Sequence, residues 1–277
     1  MDPAGKTVII TGASAGIGAA TARVFAAAGA HVVLAARDAT KLAAVAQDLP
    51  GRHLVVPTDV ADERAVRALV AETLATFDRI DIVINNAGVG LAAPVAGLDP
   101  DDLHKVLAVD LFGPLYLTQA ALPHMRRHGR GQLIYVSSVV GLRALPYLGG
   151  YAAAKAALDR LTESLRVELR GSGIAVTLVR PGTTRTAFRD HRLGSGRDRR
   201  RFQPRAATPE QVARVILKAA IREPRVAYVS WRDRLMTLIS LLAPGITDWL
   251  LGRAFRWEAV PTPTPKGEGQ EGSEGAG

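Results

Sequence analysis

Tyr151 and Lys155 are the residues of this 277-residue chain whose types and spacing most directly suggest catalysis. They lie four positions apart in an Ala-rich stretch expected to be helical, so their side chains share one face. A free tyrosine has a pKa of about 10 and is a poor acid or base at neutral pH, but a neighbouring ammonium lowers that pKa by stabilising the phenolate. The pair therefore predicts a tyrosine acid/base with a lysine as its electrostatic partner.

Ser138 supplies a third group to the predicted site. It follows the apolar run Gln132–Val136, which we expect to be a strand, and precedes Tyr151 by thirteen residues. Strands of an open α/β sheet meet the ligand crevice at their carboxyl ends. A hydroxyl at that position can hydrogen-bond a substrate oxygen and hold it beside the tyrosine. Because a tyrosine and lysine four apart are common by chance, the prediction depends on the combination with Ser138.

A glycine-rich turn, Thr11–Gly18, joins the first predicted strand to an Ala-rich helix. Glycines permit a tight turn and close backbone approach, and a helix N-terminus offers N–H groups and positive potential to a pyrophosphate. The spacing is GxxxGxG, and an ordinary strand-to-helix turn is the alternative interpretation. The candidate cofactor contacts in this turn are Gly12, Ser14, Gly16, Ile17 and Gly18.

The end of the second predicted strand bears on the choice of cofactor. NAD-binding proteins place an Asp or Glu there to bind the ribose 2′-hydroxyl, whereas an Arg accommodates a 2′-phosphate. This chain has Ala36 followed by Arg37, which can donate paired, charge-assisted hydrogen bonds to a phosphate. We therefore expect NADP(H) to be favoured over NAD, with two alternatives: a solvated Arg37, or an Arg37 partly neutralised by Asp38.

The elements that must position these residues follow an alternating pattern of strands and helices. The predicted strands are Thr7–Thr11, His31–Ala36, His53–Pro57, Ile80–Ile84, Gln132–Val136, Ile174–Val179 and Arg225–Val229. Predicted helices include Ile17–Ala28, Glu63–Phe77, Leu103–Arg127 and Tyr151–Leu169. This alternation implies right-handed crossovers and a parallel sheet with helices on both faces. We expect a single Rossmann-type, doubly wound α/β domain over residues 1–230.

Residues 231–259 are predicted to form an apolar helical extension. Between Trp231 and Trp257, two apolar stretches flank Pro244-Gly245, so two short helices are expected. Such a segment can form a lid over the site or an oligomer contact, because exposed apolar patches mark interaction sites. Alternatively, it can associate weakly with a membrane surface, because it contains both tryptophans and arginines. Either role favours a lipophilic substrate. Residues 260–277, rich in Pro, Gly and Glu, are predicted to be disordered.

Composition excludes several classes of function. The chain has no cysteine, which removes disulfides and thiolate sites, and its six histidines lack metal-cage or Ser-His-Asp spacing, so no metal is expected. Much of the formal charge of +9 lies between Thr183 and Thr208, which favours a solvated loop or an anionic-substrate gate, with no nucleic acid as partner. With no secretory leader and no run of about 20 apolar residues, we expect a cytoplasmic protein that does not cross a bilayer, with peripheral membrane contact left open.

Six motifs, spread from about Lys6 to Val229, resemble those of the short-chain dehydrogenase/reductase family in type and order. They are Thr11–Gly18, Asp59-Val60, Asn85-Asn86-Ala87-Gly88, Ser138, Tyr151 with Lys155, and Pro181-Gly182. The resemblance implies a sheet of seven strands, assembly into homodimers or homotetramers, and hydride transfer between a nicotinamide and a substrate carbonyl carbon. Tyr151 would then give or take the proton on the substrate oxygen.

The resemblance also implies cofactor contacts for individual residues. On the adenine side these are Asp59, Val60, Asn86, Ala87 and Gly88. On the nicotinamide side they are Tyr151, Lys155, Pro181, Gly182, Thr184 and Thr186. Taken alone, Asn85-Asn86 would indicate a plain turn and Pro181-Gly182 the end of a strand.

Asp110 departs from the family's pattern. The family often has an Asn in an N-x-x-G stretch, thought to hold a water of the proton relay, and here the stretch is Asp110-Leu111-Phe112-Gly113. A carboxylate accepts hydrogen bonds but cannot donate as an amide does. Asp110 is therefore a candidate catalytic residue whose effect on the relay and on the pH optimum stays open.

Together these features predict an NADP(H)-dependent oxidoreductase that interconverts a carbonyl and an alcohol on a small, lipophilic substrate. A non-catalytic NADP-binding regulator or scaffold is the alternative from another class, because a fold alone does not establish activity. A sugar-nucleotide epimerase is disfavoured by the GxxxGxG spacing and the short C-terminal region.

Overall fold

The computed structural model describes residues 1–195 and 206–255, and its centre is a sheet of seven parallel strands in the order β3-β2-β1-β4-β5-β6-β7. The strands are β1 Thr7–Thr11, β2 His31–Ala36, β3 His53–Pro57, β4 Ile82–Asn85, β5 Gly131–Val136, β6 Ile174–Arg180 and β7 Val226–Tyr228. The described helices are α1 Gly16–Ala27, α2 Ala39–Gln47, α3 Glu63–Phe77, α4 Pro100–Leu107, α5 Gly113–Arg127, α6 Gly149–Glu168, α7 Pro209–Arg222, α8 Trp231–Leu242 and α9 Pro244–Ala254. The predicted Rossmann-type α/β fold is confirmed, with strand bounds that differ from the predicted ones by at most two residues.

Helices cover both faces of the sheet because successive strand residues point to opposite sides. In β1, Val8 and Ile10 pack in the layer that contains α1, α2 and α7, whereas Ile9 packs in the layer of α3, α5 and α6. Strands buried on both faces are apolar throughout, which is why the strands were visible in the sequence.

The helix predicted over Leu103–Arg127 is longer and less regular than expected. It begins at Pro100, with Asp99 as its N-cap, and contains a π-helical turn over Ala108–Phe112. Such turns inside α-helices are frequent at functional sites. This one carries Asp110.

Within the described residues, one continuous helix, Pro100–Arg127, has the length and apolar composition that a membrane span would need. Its apolar residues Leu117, Ala121 and Met125 are buried in the core layer beneath the sheet. Packing within the protein therefore accounts for part of its apolar character, since 39% of its most apolar stretch is buried.

The expected two C-terminal helices are present, and the predicted boundary at residue 230 falls between β7 and α8. The tail over 260–277, Trp257 and most of the arginines of the Thr183–Thr208 segment lie outside the described residues. The division of the chain into 1–230, 231–259 and 260–277 stays a prediction.

Candidate active site

The carboxyl ends of four neighbouring strands bring the candidate residues to one edge of the sheet. β1 ends at Thr11, β4 at Asn85, β5 at Val136 and β6 at Arg180. From β1 the chain adds β2 and β3 on one side of the sheet and then adds β4 to β7 on the other side. In parallel sheets of this type, the ligand crevice lies where the order of the strands reverses, here between β1 and β4.

The glycine-rich turn between β1 and α1 leaves little or no room for a side chain at its three glycines. Gly12 and Gly16 have positive φ angles of 66° and 53°, and a Cβ on Gly18 would lie 2.1 Å from the Gly12 carbonyl oxygen. Ser14 and Ile17 are half-buried in the same turn. Helix α1 begins at Gly16 without a side-chain cap and without an acidic residue in its first turn. Its N-terminal N–H groups can therefore serve an anionic group such as a pyrophosphate.

Thr11 and Asn86 join the glycine-rich turn to the end of β4. The Thr11 hydroxyl accepts hydrogen bonds from the backbone N–H groups of Asn86 and Ala87, each at 3.0 Å. The Asn86 amide donates to the Thr11 carbonyl at 2.9 Å. A Cβ on Gly12 would lie 2.9 Å from the Ala87 Cα. Asn86 and Ala87 thus shape the crevice by holding β1 and β4 together, and Thr11 is an organiser that sequence reasoning did not single out.

Arg37 is exposed at the end of β2, in the position predicted to meet a 2′-phosphate. Its neighbour Asp38 caps α2 by accepting from the Lys41 backbone N–H at 3.0 Å and lies 3.1 Å from the Lys41 ammonium. The backbone hydrogen bond and the ammonium both lower the pKa of Asp38. Arg37 makes no hydrogen bond or ion pair with the rest of the described chain. Asp38 is therefore paired with Lys41 and not with Arg37.

Asp59 and Val60 follow β3 on the same side of the crevice. The Asp59 carboxylate accepts from the Ala61 N–H at 3.0 Å, which fixes the turn, and Val60 is buried. Val60 packs so closely on Gly113 that a Cβ there would lie 2.9 Å from the Val60 carbonyl oxygen. Val60, a predicted adenine contact, thus packs on the start of α5.

Ser138, Tyr151 and Lys155 come together beyond the end of β5. The Ser138 hydroxyl lies 3.4 Å from the Pro181 carbonyl and hydrogen-bonds the Tyr151 phenol. On α6, the Lys155 ammonium is 5.7 Å from the centroid of the Tyr151 ring and donates to the Val136 carbonyl at 3.2 Å. The arrangement places one hydroxyl, one phenol and one ammonium where a substrate oxygen could contact the first two.

Asp110 lies directly behind Lys155. Both side chains are buried, and Asp110 Oδ2 is 3.0 Å from Lys155 Nζ. Asp110 Oδ1 accepts from the Val89 N–H at 2.7 Å, and a Cβ on Gly88 would lie 3.2 Å from Oδ2. Burial raises the pKa of Asp110, an effect that Lys155 and the Val89 N–H oppose. Burial alone would lower the pKa of Lys155, but the Asp110 carboxylate reverses that effect and keeps it an ammonium.

The burial of Tyr151 favours its neutral phenol form. Burial raises its pKa to about 12, and the Asp110 carboxylate adds to the increase. Lys155 lowers the pKa of Tyr151, as the sequence predicted, and the Ser138 hydrogen bond does the same. The predicted effect of Lys155 is thus present, but burial outweighs it and Asp110 opposes it, so the net shift of the Tyr151 pKa is upward.

The segment after β6 closes over the tyrosine. Phe188 lies against Tyr151, with ring centroids 5.8 Å apart, and Thr186 approaches Gly16 so closely that a Cβ there would be 3.1 Å from the threonine methyl. Thr184 donates to the Gly182 carbonyl at 3.3 Å. Thr186, predicted to lie on the nicotinamide side, is therefore close to Gly16, predicted to lie on the pyrophosphate side. Phe188 is a contact that the sequence did not reveal.

A second buried ion pair joins α6 to the end of β6, and it was not predicted from the sequence. Asp159 Oδ2 is 2.8 Å from the Arg180 guanidinium, and Asp159 Oδ1 accepts from the Ser137 hydroxyl at 2.6 Å. Ser137 and Arg180 precede Ser138 and Pro181 directly in the chain. This network fixes the backbone on which two of the candidate residues stand.

The C-terminal helices touch the same edge. A Cβ on Gly182 would lie 2.6 Å from a carboxylate oxygen of Asp233 in α8, and Asp248 in α9 forms an ion pair with Arg143. No local sequence signal marks either contact, because both join residues far apart in the chain.

Comparison with known proteins gives a consistent result. Residues 6–194 match the family model of short chain dehydrogenases. A dehydrogenase/reductase SDR family protein 7-like of Drosophila melanogaster is 34% identical over 261 residues, which is 90% of this chain and 80% of that protein. An alcohol dehydrogenase from the archaeon Thermococcus sibiricus, complexed with 5-hydroxy-NADP, is 28% identical with a TM-score of 0.71 over 80% of this chain and 94% of that one. A short-chain dehydrogenase/reductase from Burkholderia phymatum in complex with NAD has the same fold, with a TM-score of 0.80 over 89% and 96% of the two chains at 24% identity.

Proposed function

Because the chain belongs to the short-chain dehydrogenase/reductase family, we propose that it is an NADP(H)-dependent oxidoreductase that interconverts a carbonyl and an alcohol on a small, lipophilic substrate. The observation that carries this proposal is the phenol of Tyr151 between the Ser138 hydroxyl and the buried ammonium of Lys155. A scaffold would have no use for a buried ammonium beside a tyrosine at the ligand edge, since burying charge is costly.

The residues present fit a nicotinamide dinucleotide. The crowded glycines of the Thr11–Gly18 turn and the uncapped start of α1 suit a pyrophosphate, and the unpaired Arg37 suits a 2′-phosphate. When bound, the cofactor supplies the hydride. Related structures include complexes with NAD and with 5-hydroxy-NADP, so family membership leaves the choice open and Arg37 carries our preference for NADP(H).

The chain's own groups then handle the substrate oxygen. Ser138 donates to that oxygen and holds it beside Tyr151, which as a phenol gives it a proton during carbonyl reduction. Lys155 stabilises the phenolate that remains, and its position is fixed by Asp110 and the Val136 carbonyl. In the direction of alcohol oxidation, the same phenolate takes the proton back.

Apolar side chains around the tyrosine support a lipophilic substrate. Leu91, Leu98, Leu103 and Leu193 form a cluster with Tyr151, and Phe188 lies against its ring. Apart from Ser138 and the site charges, a substrate there would meet hydrocarbon.

Turnover of NADPH with a panel of aldehydes and ketones tests the proposal. Tyr151→Phe should abolish turnover while NADPH still binds, because the change removes the acid and leaves the pocket. Tyr116→Phe, on the half-buried side of α5 and away from the site, is the matched control and should keep full activity.

The regulator or scaffold alternative makes the opposite prediction. If Tyr151→Phe leaves every measurable function untouched while NADPH binds, the enzyme proposal is wrong. The expected homodimer or homotetramer stays a prediction that light scattering can check.

A further inference from the structure

Helices α8 and α9 carry polar residues inside and apolar residues outside. Their buried positions are Thr237, Ser240 and Thr247, whose hydroxyls donate to backbone carbonyls three or four residues earlier. Ten large apolar side chains of the two helices are 42–77% exposed, among them Trp231, Met236, Leu242, Ile246 and Trp249. This pattern is the reverse of a helix that packs on a core and faces water. Exposed apolar patches of this kind mark interaction sites.

Positive charge predominates on this α8–α9 face, as we call the outward side of residues 231–254. Of its two acidic residues, Asp233 is half-buried against Gly182, and Asp248 is exposed but paired with Arg143. Arg232, Arg234 and Arg253 are exposed.

Two of these arginines lie beside the exposed tryptophans. The Arg253 guanidinium is 4.1 Å from the Trp249 ring centroid, and that of Arg232 is 5.6 Å from the Trp231 ring. Tryptophan rings beside cations, with aliphatic side chains between them, are typical of segments that lie in a membrane interface.

The shape of the segment argues against a membrane span. The two helices have 12 and 11 residues and are bent by 117° relative to each other. At about 1.5 Å per residue, each is roughly 17 Å long, well short of the bilayer's hydrocarbon core of about 30 Å. Neither helix alone is long enough to cross the bilayer, and the bend between them is too sharp for one straight span, so the geometry favours helices that lie along the surface.

The charge argues against a second copy of the chain as the partner. A two-fold interface would bring the same face of two copies together, so Arg232, Arg234 and Arg253 of each copy would approach a face on which positive charge also predominates. Like charges across an interface are unfavourable, whereas anionic headgroups complement them.

We propose that the α8–α9 face docks on an anionic membrane surface, with its apolar side chains in the interface and its arginines at the headgroups. Asp233 lies against Gly182 and Asp248 pairs with Arg143, which places the face next to the end of the sheet that carries Ser138 and Tyr151. A lipophilic substrate would then reach the site from the bilayer, a consequence that rests on the proposed function.

Vesicle flotation with the full-length protein tests the docking without any need for turnover. All three tryptophans of the chain lie between residues 231 and 257, two of them in α8 and α9, so tryptophan fluorescence reports on the C-terminal region. We expect flotation and a blue shift of emission with vesicles of phosphatidylcholine and phosphatidylserine at low salt, and much weaker binding to phosphatidylcholine alone or at high salt.

Two sets of variants separate the apolar and charged contributions. Met236→Glu with Leu242→Glu should abolish flotation. Arg232→Gln, Arg234→Gln and Arg253→Gln together should weaken it roughly a hundredfold, since each arginine near an anionic surface contributes about fivefold. Val167→Glu with Ile221→Glu is the matched control, because these side chains are 71% and 54% exposed on other helices. That control should float like the unmodified protein.

Four results would overturn the proposal: no binding to anionic vesicles at low salt, equal binding to neutral vesicles, unchanged flotation of the Met236→Glu, Leu242→Glu protein, or dissociation of a vesicle-free oligomer by that same variant. The last result would assign the face to a second copy. Reduction of a small water-soluble carbonyl, measured without vesicles, reports separately on the proposed function.

Discussion

Asp110→Asn is the substitution for which the structure and the family pattern predict different outcomes. The family often has an Asn at this position, which alone would predict that the change is tolerated. Here, Asp110 Oδ1 accepts from the Val89 N–H at 2.7 Å and Oδ2 lies 3.0 Å from the Lys155 ammonium. Both partners are donors, and an amide has a single acceptor oxygen. In either orientation of the amide, its NH₂ group therefore faces a donor.

The size of the effect follows from the contact that is lost. The substitution keeps the side-chain volume, so no cavity forms, but it removes one charge of a buried ion pair, which costs about 3–5 kcal/mol. We expect the free energy of unfolding to fall by about that amount. For a chain of this size, this corresponds to a decrease in Tm of roughly 6–20 °C, which calorimetry can measure.

The substitution should also move the pH profile of alcohol oxidation. The Asp110 carboxylate raises the pKa of Tyr151 and of Lys155, so its removal lowers both. Oxidation needs the Tyr151 phenolate as base, and the acid limb of kcat/KM should therefore move to lower pH.

Asp102→Asn, on the same helical stretch, is the matched control. Its surface pair with Lys105, at 3.2 Å, should contribute about 0–1 kcal/mol, and its loss should leave the profile in place. An Asp110→Asn protein with unchanged Tm and an unchanged acid limb would refute the reasoning.

Three further substitutions test other parts of the site. Arg37→Ala should weaken NADPH binding by about 1.5–3 kcal/mol and leave NADH binding unchanged. Arg64→Ala, which removes an exposed arginine on α3, should change neither dissociation constant. Equal affinity of the unmodified protein for both cofactors would contradict the assignment of Arg37 to the 2′-phosphate. Gly18→Ala should disrupt the turn and with it cofactor binding, because its Cβ would lie 2.1 Å from the Gly12 carbonyl oxygen, whereas Gly252→Ala, with open space around its Cβ, should bind normally in the same titration. Phe188→Ala should raise kcat/KM for bulky ketones relative to small ones, since it opens the space above Tyr151; an unchanged ratio would mean that the ring does not limit the pocket.

The sheet and the position of the site were predictable from sequence because their signals are local. Strands buried on both faces are apolar throughout, and the glycines of Thr11–Gly18 are enough to predict a turn. The approach of Phe188 to Tyr151 and of Asp233 to Gly182 has no such signal, since each depends on how a distant segment folds back. The role of Asp110 was hidden for a different reason: the π-helical turn that carries it leaves no mark in the apolar pattern of its helix.

Two buried ion pairs explain how α6 is held at the ligand edge. Lys155 is tied to Asp110 on the π-helical turn and to the end of β5, and one turn later Asp159 is tied to Arg180 at the end of β6. Buried pairs add little net stability, because desolvation offsets most of their attraction, but breaking one by removing a single partner is costly. Their effect is therefore to fix geometry. In each pair a positive charge balances a negative one, and together the two pairs hold the helix that bears Tyr151 against the strand ends that precede Ser138 and Pro181. The tyrosine is then positioned by groups that a substrate need not touch.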